Sequence, residues 1–345
     1  MESGGISILD CTMRDGGYIN DWRFNEEFLE KFSGVVCENS IEYVEIGFIN
    51  KTNKYRGKLV GGSRILTKEL INERKSMITD SKLVVMADYS DINMELLTEG
   101  DLPVDLVRIA FHKTDLEAAL EICRDVKQLG YRVSVNAMAI TNYSESELEY
   151  LFDFVNKCTL DVLYVADSYG SLHQTDVMNY LKEFDAKLNS GIAIGFHLHN
   201  NMNNAYGNYE RIASMAHNFK NREIIVDSTM YGMGRGAGNL QTELVLLNHR
   251  NLQLEGLVDL LEFIQNYIKP IYESTHNKWG YDLDYLLSGH LCIHPNYVAK
   301  MRDIGVNMNN RLFLVKTIVD RGYNYKYFNA EIIDELVEEF KNRLM

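Results

Sequence analysis

Residues Ile6-Ser7-Ile8-Leu9-Asp10-Cys11-Thr12-Met13-Arg14-Asp15-Gly16-Gly17-Tyr18 open as an apolar, β-leaning run and close with an arginine, an aspartate and two glycines. That order predicts a buried strand delivering charged groups into a glycine-loosened turn. An Arg-Asp pair by itself is commonplace on protein surfaces. At the C-terminal end of the first strand of an α/β barrel, however, Arg14 and Asp15 stand where such barrels keep their chemistry.

The rest of the chain supplies the barrel. Short β-branched runs at 6–11, 42–48, 82–87, 105–110, 132–138, 161–166, 192–197 and 223–227 alternate with amphipathic stretches of helical length. Eight βα repeats predict a TIM (β/α)8 barrel with a closed parallel sheet. Thr114 with Glu117, and Ser144 with Glu147, fit the S/T-x-x-E capping box at helix starts. Leu116, Ala119, Leu120, Cys123, Val126 and Leu129 then form one apolar helix face. A closing helix is expected at 239–248, further helix at 252–271 past Pro270, and a last one at 330–344. We therefore expect a barrel catalytic domain over 1–250 and a smaller, mainly helical C-terminal domain over 251–345.

A length of 345 residues, 46% hydrophobic and 24% charged, suits one large domain plus a smaller one. The formal charge of −14, without a basic cluster to offset it, argues against nucleic acid as a partner. No run approaches the roughly eighteen apolar residues of a membrane span, and the first residues lack a signal-peptide pattern, so a cytoplasmic protein with no membrane partner is expected. Cys11, Cys37, Cys123, Cys158 and Cys292 are scattered with no C-x-x-C, which favours buried thiols over disulfides or a thiolate zinc site.

The sharpest chemical signal is His197-Leu198-His199, at the end of the seventh run. Side chains at i and i+2 of a strand share a face, so two imidazoles enter one space, an arrangement that suits a divalent transition metal. Asp15 is the natural third ligand, because only the eighth strand separates the first from the seventh in a closed barrel. Asn239 follows a stretch containing Gly232, Gly234, Gly236 and Gly238, which reads as a tight turn rather than a phosphate cradle, and its amide oxygen is a fourth metal-facing candidate. Glu45 is placed to pair with Arg14. Arg108, His112, Asn136, Asp167 and Ser168, near other strand ends, are expected to line the pocket.

The segments "LDCTMRDGG", "GFHLHNN" and "GMGRGAGN", in that order over about residues 6–250, resemble the DRE-TIM superfamily of metal-dependent aldolases and lyases. Within it, the "VRIAFHKTD" segment and the total length are most similar to the 4-hydroxy-2-oxovalerate aldolases. The C-terminal "GYDLDY" segment looks like the part of the aldolase communication domain that lends a tyrosine, here Tyr285, to the active site. The resemblance implies Mn2+ or Mg2+ on Asp15, His197 and His199, with Arg14 holding the pyruvate part of the substrate. It also implies a homo-oligomer and an acylating aldehyde dehydrogenase partner as possibilities to test. Two departures matter: the segment "WGYDLDYLLSGHLCIHPNY" differs from the aldolase pattern beyond Tyr285, and where these aldolases carry a catalytic histidine three residues after the aspartate, this chain has Tyr18. The proton acceptor is then Tyr18 acting with Tyr285, another C-terminal residue such as His290, or a metal-bound water.

These readings predict a carbon–carbon lyase acting on a small 2-oxo acid and an aldehyde. The alternative on the same barrel is a Claisen-type or acyl-CoA lyase of the hydroxymethylglutaryl-CoA lyase or isopropylmalate synthase kind. It calls for basic residues around a CoA tail, and no such cluster is evident.

Overall fold

The computed structural model describes residues 5–55, 57–219, 222–249, 254–276, 278–323 and 328–341. Eight parallel strands run along it: β1 (Ile6–Asp10), β2 (Tyr43–Phe48), β3 (Lys82–Asp88), β4 (Leu106–Phe111), β5 (Val133–Ala137), β6 (Val162–Asp167), β7 (Ala193–Leu198) and β8 (Ile224–Ser228). They close in the order β1-β8-β7-β6-β5-β4-β3-β2. Every boundary lies within one residue of the predicted run, because β-branched strands buried on both faces give an unbroken apolar signal. A small hairpin, Lys54–Tyr55 with Lys58–Leu59, is inserted after β2.

Polarity changes in layers along the barrel interior. Leu9, Tyr43, Leu106, Val162, Tyr164, Ala193 and Ile225 fill the lower part. Two residues further along their strands, on the same inward face, come Cys11, Glu45, Arg108 and Asp227, all buried. Gly195 opens space for this arrangement: a Cβ there would sit 2.2 Å from the Tyr164 ring. Tyr164 uses that space to donate a hydrogen bond to Asp227 Oδ1 at 2.8 Å.

The helix starts test local readings. Ser144 and Glu147 form the expected capping box. Thr114 does not, because a 3-10 turn at Lys113–Asp115 moves the helix start to Leu116 and places Thr114 inside the turn. Leu129, at that helix's C-cap, is 41% exposed rather than part of the buried face. The closing helix starts at Thr242, three residues late. Asn239 and Gln241 are drawn into isolated bridges with His199 and Thr229 before it. Cys11 and Cys123 are buried thiols, while Cys37, Cys158 and Cys292 are only partly buried; all five are free.

Helix continues past Pro270 as expected, through Leu254–Phe263, a π-turn at Ile264–Ile268 and Lys269–Ser274. Leu260, Phe263, Ile264, Ile268 and Trp279 pack into the layer around the barrel. A second cluster is built by Leu283–His290, Pro295–Asp303, Met308–Asp320 and Ala330–Glu339, with Tyr297, Met301, Leu314, Ile318 and Ile333 in it. The expected division near 250 falls at 250–253, and the end of the expected last helix at 342–344; both lie outside the described residues. No helix among those described is long and apolar enough to cross a membrane.

The seam between β1 and the closing helix carries buried acids. Asp10 accepts from the Thr12 amide (2.9 Å) and the Thr242 hydroxyl (2.8 Å), and burial pushes its pKa up to about 6. Burial likewise pushes Glu243, which accepts from the Tyr231 amide, up to about 7. Carboxyls raised in the folded state favour it below their unfolded values, and that contribution is lost as pH rises through 6 and 7. Between pH 5 and 8 the wild type is therefore expected to lose stability relative to Glu243→Gln, by on the order of 2–3 kcal/mol. Paired urea melts at each pH check this; parallel stability profiles would refute it.

Candidate active site

β1 ends in a turn closed by the Arg14 and Asp15 amides on the Cys11 carbonyl, at 3.1 and 2.8 Å. This places both side chains at the barrel mouth, buried. Arg14 donates through Nε to Glu45 Oε2 (2.5 Å) and through Nη1 to Asp15 Oδ1 (2.6 Å), so the expected pair with Glu45 is present. Its Nη2 makes no hydrogen bond to any described residue. Below it, Arg108 faces Glu45 Oε1 at 3.1 Å and donates to Asp227 Oδ2 at 2.5 Å, stacked over Tyr164.

His197 and His199 are oriented by their Nδ1 atoms. His197 Nδ1 meets Asp227 Oδ2 at 2.8 Å, and His199 Nδ1 meets the Asp167 carbonyl at 2.9 Å. Their Nε2 atoms are left 4.0 and 3.9 Å from Asp15 Oδ2. Such outer partners fix the orientation of metal-binding imidazoles. The donor atoms of Asp15, His197 and His199 lie within 4.8 Å of one another. Although burial opposes it, Arg14 and then the two imidazoles hold the Asp15 carboxyl well below the usual carboxylate range. Burial and the neighbouring His197 lower His199 to about 4, which keeps its imidazole neutral.

This set of two imidazole nitrogens and a carboxylate fits a divalent cation. Asn239 adds to the fit: its Nδ2 donates to Asp15 Oδ2 (2.6 Å) and the Met233 carbonyl (3.2 Å), and its Oδ1 is buried without a partner. The amide nitrogen thus holds Asp15, while Oδ1 keeps no partner among the described residues. Gly234 is needed here, since a Cβ would lie 2.3 Å from Asn239 Nδ2 and 3.1 Å from Asp15 Oδ2. The glycine stretch is a turn around these two side chains. Cys11 also approaches His197 and Asp227. Its thiol donates to the Ser228 carbonyl at 3.3 Å, and burial raises its pKa well above normal, so it lies beneath these side chains as a neutral group.

A cavity of about 400 Å³ opens above these residues. Arg14, Asp15, Tyr18, Asn136, Ser168, His197 and His199 reach it, as does His112. Asn136 accepts from Ser134 at 2.7 Å and Ser168 from the Ala139 amide at 2.8 Å. Arg108 touches the floor but is fully buried, so its place is to hold Glu45 and Asp227 rather than to meet substrate directly. The Asp167 carboxylate turns away, accepting from the Ser171 and Leu172 amides.

The C-terminal residues differ most from expectation. His290 is exposed and borders a separate surface pocket. Its neighbour Gly289 packs against Asn201 and Tyr169, and one residue further round the helix points outward. Tyr285 is buried in the C-terminal cluster beside Arg302 and does not line the cavity. His294, Pro295 and Asn296 reach the cavity instead. Arg64, Asp88 and Arg235 also line it. These three sit on loops or at a strand end and carry no spacing signal in the sequence.

The HMGL-like family pattern matches residues 5–267. The 4-hydroxy-2-oxovalerate aldolase of Geobacillus genomosp. 3 is 25% identical over 282 residues, covering 79% of this chain and 80% of the relative. The oxaloacetate decarboxylase of Mycobacterium tuberculosis is 23% identical over 236 residues, covering 68% and 67%. Among solved structures, the N-terminal domain of a protein described as an aldolase from Bacteroides vulgatus superposes with a TM-score of 0.75 at 28% identity, covering 88% of this chain and 98% of that one. The carboxyl transferase domain of Rhizobium etli pyruvate carboxylase shares the fold, with a TM-score of 0.73 at 12% identity over 100% of this chain and 62% of that one. With the family pattern running from β1 to the helices beyond the last strand, the chain belongs to the HMGL-like, or DRE-TIM, family and is a carbon–carbon lyase.

Proposed function

We propose that the protein is a divalent-metal-dependent aldolase, using Mn2+ or Mg2+, that cleaves or forms the C–C bond next to a 2-oxo acid of the 4-hydroxy-2-oxo class. The observation that carries this reading is the convergence of Asp15, His197 and His199 beside an arginine with one free guanidinium edge. Asp15, His197 and His199 would hold the cation, which when bound supplies a Lewis acid for the charge that develops on the keto oxygen. Arg14 Nη2 is available to the carboxylate or enolate oxygen of the pyruvate part, with Glu45 and Asp15 fixing the guanidinium plane.

Tyr18 stands in the same cavity with its pKa raised by burial, against the pull of Arg235 and Arg64. A phenol that keeps its proton suits the addition direction, giving it to the oxygen of the aldehyde as the new C–C bond forms; the same group takes it back in cleavage.

The test follows two signals with manganese present: pyruvate release from a series of 4-hydroxy-2-oxo acids, and exchange of the methyl protons of pyruvate with deuterated water. Release from at least one member and ready exchange are expected. Tyr18→Phe should slow release far more than exchange. Absence of both signals in wild type with either metal overturns the aldolase reading.

A further inference from the structure

We infer that the cavity contains a second anion-binding subsite at Arg235, which receives a carboxylate or phosphate carried on the aldehyde half of the substrate. This rests on the aldolase reading above, since that reading places the 2-oxo acid half at Asp15 and Arg14. It narrows the substrate to molecules with an acidic group at each end.

Arg14 lies between Glu45 and Asp15, and Arg108 between Glu45 and Asp227. Arg64 donates to Asp88 Oδ2 at 2.6 Å. The Arg235 guanidinium has neither an ion pair nor a hydrogen bond with any described residue. Its guanidinium lies 3.8 Å from the centroid of the Tyr18 ring and lines the cavity.

The acids on the outer wall are already engaged. Asp88 is held by Arg64 and by Asn50 Nδ2 at 2.7 Å, and Asp91 is held by the Thr52 hydroxyl at 2.7 Å. Asp15 is held by Arg14 and Asn239. Arg64 adds to the positive field from its own side, 5.9 Å from the Tyr18 centroid, with Nε and Nη1 buried and without hydrogen-bond partners. A partly buried cation stacked on an aromatic face, with no ion pair of its own among the described residues, is a site prepared for an incoming anion. A cavity of about 400 Å³ has room for such a substrate.

Calorimetric titration of the full-length protein with manganese present compares three 2-oxo acids of matched length. 2-Oxopentanoate has an apolar end, 2-oxopentanedioate a carboxylate, and 2-oxo-4-phosphonobutanoate a phosphate-like group. At least one dianionic acid is expected to bind tenfold or more tightly than 2-oxopentanoate; which of the two leads identifies the group. Arg235→Met should abolish that preference, and Arg235→Lys should restore part of it.

Equal binding of all three overturns the subsite. So does a preference that survives Arg235→Met, or a variant that weakens all three equally, because Arg235 would then serve the shared 2-oxo acid end. Exchange of pyruvate methyl protons, measured on the same preparation, reports on the aldolase reading alone. Equal binding with exchange intact removes the subsite and keeps the reaction; an Arg235-dependent preference without exchange does the reverse.

Discussion

Alanine at position 197 is expected to strip bound manganese from the protein and lower turnover by about 10³-fold or more, the equivalent of at least about 4 kcal/mol of transition-state stabilisation. His197 supplies one of three donor atoms clustered within 4.8 Å, and neither its ring nor its Asp227 contact is replaceable by a methyl group. Asp227 retains Arg108 and Tyr164 after the change, so the barrel floor should persist. Metal analysis and circular dichroism of the same sample check the prediction. A folded variant with full metal occupancy would refute the ligand assignment.

Arg14→Lys should lower turnover by about 10²–10³-fold, the usual scale for losing one oriented donor to a developing oxyanion. Lysine preserves charge but offers a point ammonium in place of a planar fork. The present fork spends two edges on Glu45 and Asp15 and keeps a third free. An ammonium satisfying both carboxylates has no fixed edge left for substrate. Steady-state kinetics that leave kcat near wild type would make Arg14 a structural partner of Glu45 only.

The parts of this protein legible in the sequence are those governed by short-range periodicity. Each strand declared itself through a β-branched run, and His197-Leu198-His199 declared a shared face because a strand alternates regularly. Asp15 followed from its place just beyond the first strand, and Glu45 from its place on the second. The cavity's outer wall had no such signal. Arg64 sits in a 3-10 turn and Arg235 in a glycine-rich loop, where direction depends on tertiary packing. His290 and Tyr285 stand apart from the cavity for a related reason: the sequence marks a mainly helical C-terminal domain, but which residues meet the barrel depends on contacts such as Gly289 on Asn201. Thr114 shows the same limit in miniature, since a one-turn 3-10 segment cancels a correct capping pattern.

Arg108 has a consequence for how this site can change over generations. Among the described residues it bridges, on the floor, Glu45, which holds Arg14, and Asp227, which holds His197. Arg14 and His197 are therefore coupled through a shared cation, and double-mutant cycles across Glu45, Arg108 and Asp227 should be strongly non-additive. Loss of any one of the three strands a buried charge, so a single substitution is selected against even when a compensated pair would be tolerated. Drift toward new substrates is left to the outer wall, where Arg64 and Arg235 can be exchanged without unbalancing the floor.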